Sequence, residues 1–301
     1  MKYVVTGGAG FIGSHIVKNL VNRGHLVTVI DNLHSGKTEN LESVKNKINF
    51  ENVDILNFEQ LEPILNNSDG IFHQAALTSV TESFKKKKQY FDVNVNGTKN
   101  IFEIAKKYHI RVIYASSSSI YGDPNLIPIK EDFDRKALNP YALTKLECEI
   151  LAEQFAKNGL DVLGLRYFNV YGIGQTGTYA GVITQFLQNL KKQKPPIVNG
   201  DGTQLRDFIH VEDVAEANLI AMKSSIKNGF FNIGTGRAIS ILQLAEMMIE
   251  LHGLDLNPMF TTLPPGDVRL SQSDTTLSKK YLHWISSIKL EEGIAKLFEK
   301  I

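Results

Sequence analysis

Tyr141 and Lys145 stand four residues apart, and a run of hydroxyls at Ser116–Ser119 precedes them. In a helical run, positions four apart lie one above the other on one face. A free tyrosine titrates at about pH 10, so roughly one in a thousand is ionised at neutral pH. An ammonium group beside it, or any bound cation, stabilises the phenolate. Lowering its pKa by about three units asks the site for roughly 4 kcal/mol and yields a general base able to take the proton of a hydroxyl. The serines follow the apolar run Val112-Ile113-Tyr114, where a strand would deliver them to a cleft. Such a site moves the proton of an alcohol and needs an acceptor for the hydride.

The elements that must position these groups alternate along the chain. Tyr3-Val4-Val5 reads as a buried strand, the glycine turn Thr6 to Gly13 follows, and Ser14 to Arg23 has helical periodicity. In that context Gly7 and Gly10 let the backbone approach a pyrophosphate, the new helix N-terminus holds the anion, and Gly13 lets helix and strand pack closely. His25 to Ile30 is a second strand, and Asp31 ends it, eighteen residues past Gly13. An acid there binds ribose hydroxyls and disfavours a 2′-phosphate, so NAD is expected rather than NADP; the alternative is a purely structural turn. Ile48–Phe50, Gly70–Ala76, Arg111–Ala115 and Leu160–Leu165 read as further strands, with Val53-Asp54-Ile55 where an adenine would lie. Helices are expected over Thr81–Tyr108 and Asn139–Lys157. This alternation predicts an α/β fold, a doubly wound parallel Rossmann sheet with ligands outside the carboxyl ends of its strands. Gly10, Asp31, Ala75, Ser117 and Asn169 follow strands at that edge.

After about residue 168 the pattern loosens. The expected division is an NAD-binding domain at 1–168, with a contribution from about 207–233, and a smaller α/β substrate-binding domain at 169–301. Arg206 to His210 leads into a helix from Val211, Gly229 to Ile233 reads as a strand, and Ser240–Leu251 and Leu290–Glu299 as helices.

Composition narrows the function classes. The 301 residues carry a net charge of +1, so no nucleic-acid or acidic-membrane partner is expected. The tetralysine Lys85–Lys88 reads as a solvated helix face. Cys148 is the single cysteine, excluding an internal disulfide framework, and falls on the Tyr141 face of its helix as a small packing residue. No apolar run approaches the roughly 18 residues of a membrane span, and no basic leader is visible, so a cytoplasmic location is expected. The eight histidines are scattered without a pair at helical ligand spacing, and no metal site is expected.

Nine short motifs in order, TGGAGFIG, DNLHSG, HQAA, NVNGT, SSSSIYG, YALTK, LRYFNVYG, GDGTQLRDFIHVEDV and GDVRLS, resemble the extended short-chain dehydrogenase/reductase family and, within it, the UDP-sugar 4-epimerases. The resemblance covers essentially the whole chain. It implies that Tyr141 takes the proton of the sugar 4-hydroxyl while C4 gives a hydride to tightly held NAD, that Lys145 bonds the nicotinamide ribose, and that Ser117 bonds the reacting oxygen. It implies cofactor contacts from Gly7, Gly10, Phe11, Ile12, Gly13, Asp31, Asn32, Asp54, Ile55, Ala75, Ala76 and Asn94. It places Asn169 and Arg269 near the diphosphate, Arg206 and Asp213 near the uridine, and Thr78, Ser79, Ser118, Gly181 and Val182 about the sugar nucleotide. Many relatives carry an arginine where this chain has Pro264, which would put more of the diphosphate charge on Arg269 or change the pyrophosphate geometry. Dehydratases and decarboxylases of this scaffold place carboxylates after the catalytic hydroxyl, whereas Ser118 and Ser119 follow Ser117 here.

Ser271 stands where epimerases restricted to glucose and galactose carry a tyrosine, leaving room for a 2-N-acetyl group. Ser118 and Tyr179-Ala180-Gly181-Val182 also resemble the branch acting on acetylated sugars. The expectation is interconversion of UDP-glucose and UDP-galactose with acceptance of UDP-GlcNAc and UDP-GalNAc. Alternatives are a UDP-glucuronate 4-epimerase, a sugar-nucleotide reductase, or a non-catalytic NAD-binding protein. Relatives pair the helices near 81–108 and 140–157 across a dimer, so a homodimer is expected.

Overall fold

A computed structural model describes residues 1–175, 181–263 and 268–300. Tyr179, Ala180, Pro264 and Gly266, singled out by the resemblance, lie outside the described residues. In chain order the elements are β1 (Lys2–Thr6), α1 (Phe11–Asn22), β2 (Leu26–Ile30), β3 (Ile48–Glu51), α2 (Phe58–Leu65), β4 (Gly70–His73), α3 (Val80–Lys85), α4 (Lys87–Phe91), α5 (Gly97–Lys107), β5 (Val112–Ser117), α6 (Pro140–Lys157) and β6 (Val162–Tyr167). They continue as β7 (Asn169–Tyr171), α7 (Val182–Leu190), β8 (Ile197–Asn199), β9 (Leu205–Arg206), β10 (Phe208–His210), α8 (Val211–Lys223), β11 (Asn228–Ile233), β12 (Ile239–Ser240), α9 (Ile241–Leu251), β13 (Met259–Thr261) and α10 (Leu290–Lys300).

Seven strands form one sheet in the order β11-β6-β5-β4-β1-β2-β3, parallel at every pairing. Val, Ile and Leu dominate its strands because both faces are covered. One face packs on α1 and α8 through Ile16, Val17, Leu20, Val214 and Leu219. The other packs on α2, α5 and α6 through Leu61, Leu65, Ile101, Phe102 and Ala152. The strand order reverses between β1 and β4, and ligands of doubly wound sheets enter at such a crevice. A separate apolar core joins Phe186, Leu187, Val198, Leu244, Met248, Ile294 and Leu297, built around α7, α9 and α10.

Two expectations change. The stretch 81–108 is not one helix. Lys86 leaves helical geometry at φ −122°, ψ 40° between α3 and α4, and a π-helical turn occupies Asp92–Asn96. That wider turn lets the Asn94 side chain accept from Leu77 N at 2.8 Å and donate to Leu77 O and Thr144 Oγ1, a tie between segments that helical periodicity does not encode. The tetralysine therefore straddles a helix break, and Lys86 and Lys88 pair with Glu82 and Asp92. Beyond the expected elements, Val182–Leu190 forms the helix α7, with Ile183, Phe186, Leu187 and Leu190 buried along one stripe. No helix among the described residues is long and apolar enough to cross a membrane.

Candidate active site

The glycine turn forms a cradle at the crevice. Gly7 has φ +66°, and a methyl built on it would stand 2.7 Å from Ala75 N; one on Gly13 would meet Gly7 O at 2.1 Å. Only glycine lets β1, the residues after β4 and α1 come this close. The α1 N-terminus has no side-chain cap and no acid in its first turn, which leaves its N–H groups for an anion. Asp31, at the end of β2, accepts from Ala9 N at 3.0 Å and Leu33 N at 2.8 Å. Burial raises its pKa and these two bonds work against the rise.

A cavity of about 390 Å³ runs from this cradle to the end of β5, lined by Gly7, Gly10, Phe11, Ile12, Gly13, Asp31, Asn32, Ile55, Ala75, Ala76, Thr78, Ser117, Tyr141 and Lys145. Asp54 and Asn94 are not part of this lining but bond residues that are: Asp54 accepts from Asn32 Nδ2 at 2.9 Å, and Asn94 is tied to Leu77. A second cavity of about 410 Å³ is lined by Asn169, Gly181, Val182 and Arg206, and Val170 and Gln175 line both. These two residues, with Lys37, Asn40 and Phe168 of the first cavity, were not legible as site residues. Val170 follows Asn169 on a strand, but nothing in the local pattern marks Gln175.

At the β5 end, Asn139 caps α6 through Ala142 N at 2.9 Å and Pro140 occupies its first turn. This sets Tyr141 beside Ser117 in hydrogen-bonding contact. Lys145 is buried and donates to Ala115 O at 2.8 Å, its Nζ standing 6.0 Å from the Tyr141 ring centre. Lys145 is not among the groups that shift the Tyr141 hydroxyl in this structure. Burial pushes the Tyr141 pKa up to about 12, and the Ser117 contact offsets part of that rise. Lys145 itself is lowered by burial, and its ammonium is directed to a backbone carbonyl.

Among the described residues lining the two cavities, Asp31 is the one carboxylate. It lies three strands from β5, on the order of 14 Å at the usual strand spacing, so no described carboxylate lines the wall near Ser117.

Other expected site residues fall elsewhere. Ser79 caps α3 through Glu82 N, and Ser118 opens a 3₁₀ turn over Ser118–Tyr121. Arg269 lines neither cavity; its backbone N and Nε are held by Asp123 at 2.8 and 3.0 Å. Ser271 is buried, its N donating to Leu205 O at 3.1 Å. Asp213 is corrected from a uridine contact to a structural acid. It is buried, and its carboxylate accepts from Ser287 N, Ser287 Oγ and Ile288 N.

The fold and cradle define a dinucleotide-binding α/β protein with a Ser-Tyr-Lys cluster. Residues 3–234 match the NAD dependent epimerase/dehydratase family, and the chain belongs to that family. It is similar to the UDP-glucose 4-epimerase of Thermotoga maritima, solved with UDP-glucose, at 36% identity and TM-score 0.94 over 99% of this chain and 98% of that one. It is also similar to the UDP-N-acetylglucosamine 4-epimerase of Methanobrevibacter ruminantium, in complex with UDP-N-acetylmuramic acid, at 35% identity and TM-score 0.95 over 99% and 97%. A UDP-N-acetyl-alpha-D-glucosaminuronate decarboxylase of Bacillus cytotoxicus is 33% identical over 99% of this chain and 97% of that protein.

Proposed function

We propose that this chain is an NAD-dependent 4-epimerase of UDP-hexoses, interconverting UDP-glucose and UDP-galactose and accepting UDP-GlcNAc and UDP-GalNAc. The observation that carries the reading is one cleft joining the dinucleotide cradle to Ser117, Tyr141 and Lys145, with no described carboxylate at its reacting end. Decarboxylases and dehydratases of the scaffold use an acid there, and this favours epimerisation over the chemistry of the decarboxylase relative.

NAD, when bound, supplies the acceptor that takes the C4 hydrogen and gives it back, and its cationic ring favours a phenolate nearby. Gly7, Gly10, Gly13 and the α1 N-terminus would hold its diphosphate, and Asp31 its ribose. In this reading Tyr141 Oη takes the proton of the 4-hydroxyl, Ser117 Oγ orients the reacting oxygen, and Lys145 ties the helix to β5 through Ala115 O. The 4-keto sugar turns over, and Tyr141 returns the proton after hydrogen is delivered to the opposite face. Arg206, in the wall of the second cavity, suits a nucleotide phosphate or uracil carbonyl.

The domain division at 168/169, with 207–233 returned to the first domain, is our assignment; membership of β11 in the main sheet and the separate core around α7, α9 and α10 support it. Exposed Phe84, Phe91 and Leu143 on α3, α4 and α6 support a homodimer through these helices, and we place the protein in the cytoplasm. The acceptance of acetylated sugars rests on Ser271. Turnover of UDP-galactose and UDP-GalNAc by wild type and Ser271→Tyr, followed by NMR, tests it: loss of the acetylated reaction alone supports the gate, and equal loss of both rejects it.

A further inference from the structure

We propose that Gly172–Gln175 is a strap across the dinucleotide cleft, pinned by His15 at one end and Gln175 at the other, and that this pinning slows NAD release. The proposal rests on the resident-NAD reading above and concerns residues that reading does not use.

The strap follows β7 and comes back over the start of α1. His15 Nε2 bonds Ile173 O at 2.9 Å, joining residues 158 apart in sequence. The half-buried His15 ring stands edge-on to Phe11, with centroids 6.2 Å apart, so the residue that meets the strap also packs on the cradle. Gly174 and Gln175 line the same cavity as Phe11, Ile12 and Gly13. A methyl built on Gly174 would stand 3.6 Å from Phe11 and 3.7 Å from Asn40. Asn40 in turn donates to Ala9 O at 2.8 Å, so the strap closes on a rim already tied to the glycine turn.

Both polar ends of the Gln175 side chain are engaged. Nε2 donates to Val170 O at 3.1 Å and Oε1 accepts from Thr184 Oγ1 at 3.0 Å, anchoring the strap to β7 and α7. A dinucleotide diphosphate held by Gly7–Gly13 is covered by this segment, and lifting the segment breaks the His15 bond. His15 acts on the strap and is a positioning residue for cofactor retention.

The test uses the purified full chain as wild type, His15→Ala and His15→Gln, the last keeping an N–H donor. NAD per chain is counted after desalting, and the rate of NAD loss is followed with excess ADP-ribose as a trap. Losing one bond that must break on opening speeds release roughly tenfold. The expected result is that increase for His15→Ala, a rate near wild type for His15→Gln, and unchanged melting temperatures of the NAD-free proteins. Equal release rates in wild type and His15→Ala overturn the strap. If wild type retains no NAD after desalting, the resident-cofactor reading falls and the strap with it. Should His15→Ala not fold, Gln175→Ala loosens the other anchor and is judged by the same rates.

Discussion

Glu149 and Arg166 form a buried pair against β5, and breaking it has a calculable consequence. Arg166 Nε and Nη2 reach Glu149 Oε1 and Oε2 at 2.9 Å each, Ser116 Oγ donates to Oε1 at 2.6 Å, and Arg135 Nη1 approaches Oε2 at 3.1 Å. Glu149 is 0% and Arg166 2% exposed. Burial opposes the Arg166 charge, yet Glu149 and Tyr121 outweigh it and hold the guanidinium above its ordinary pKa. Glu149→Leu leaves the Arg166 and Arg135 guanidinium groups without this carboxylate. An uncompensated buried charge costs about 3–5 kcal/mol, whereas replacing both partners by apolar groups is often nearly neutral. Glu149→Leu and Arg166→Met should therefore each lose about 3–5 kcal/mol, and Glu149→Leu/Arg166→Met should lose well under the sum. Urea denaturation at one NAD concentration measures all three, since a ligand bound only to the folded state raises apparent stability. Single losses below about 1 kcal/mol, or strict additivity, would refute the reasoning.

Three further outcomes follow from the same geometry. His73 is buried between Thr6 Oγ1 at 2.7 Å and Thr98 Oγ1 at 2.9 Å, and burial lowers its pKa to about 3. Thr98 Oγ1 donates to Asn94 O, so His73 Nε2 carries the proton and Nδ1 accepts from Thr6. Because the folded pKa lies below the unfolded value, the stability is present above about pH 6.5 and is lost as pH falls toward 3, by up to ~5 kcal/mol; an acid titration in which His73→Asn shows the same slope contradicts this. Gly7→Ala combines strain at φ +66° with a 2.7 Å clash against Ala75 N, and should cost more than about 2 kcal/mol and abolish NAD retention; calorimetry with an NAD count checks it. Asp213→Asn should lower the melting temperature by loosening Ser287-Ile288 while leaving UDP affinity unchanged by titration calorimetry; a raised Kd for UDP at unchanged stability would return Asp213 to the nucleotide site.

The nucleotide half of the molecule was legible because its information is local. The run from Tyr3 to Asp31 carries strand, glycine turn, helix and acid within one βαβ unit, and Tyr141 and Lys145 share one helix face. What escaped depends on pairs distant in sequence. Asn94 bends its helix to reach Leu77, and Arg269 meets Asp123 146 residues away. Asp207, inside the motif read as nucleotide-binding, accepts from Thr235, Gly236 and Ser273 and holds the fold. Residue type shows a lysine near Tyr141, and only the packing shows that Ala115 O takes its ammonium.

The central claim is that hydrogen leaves C4 of a UDP-hexose and returns to the same carbon without meeting solvent. Incubating the purified protein with UDP-galactose in D₂O, without added cofactor, tests it, with the products followed by NMR. The account predicts a mixture of UDP-galactose and UDP-glucose with no deuterium at C4. Deuterium at C4, or no conversion even with NAD supplied, would contradict it.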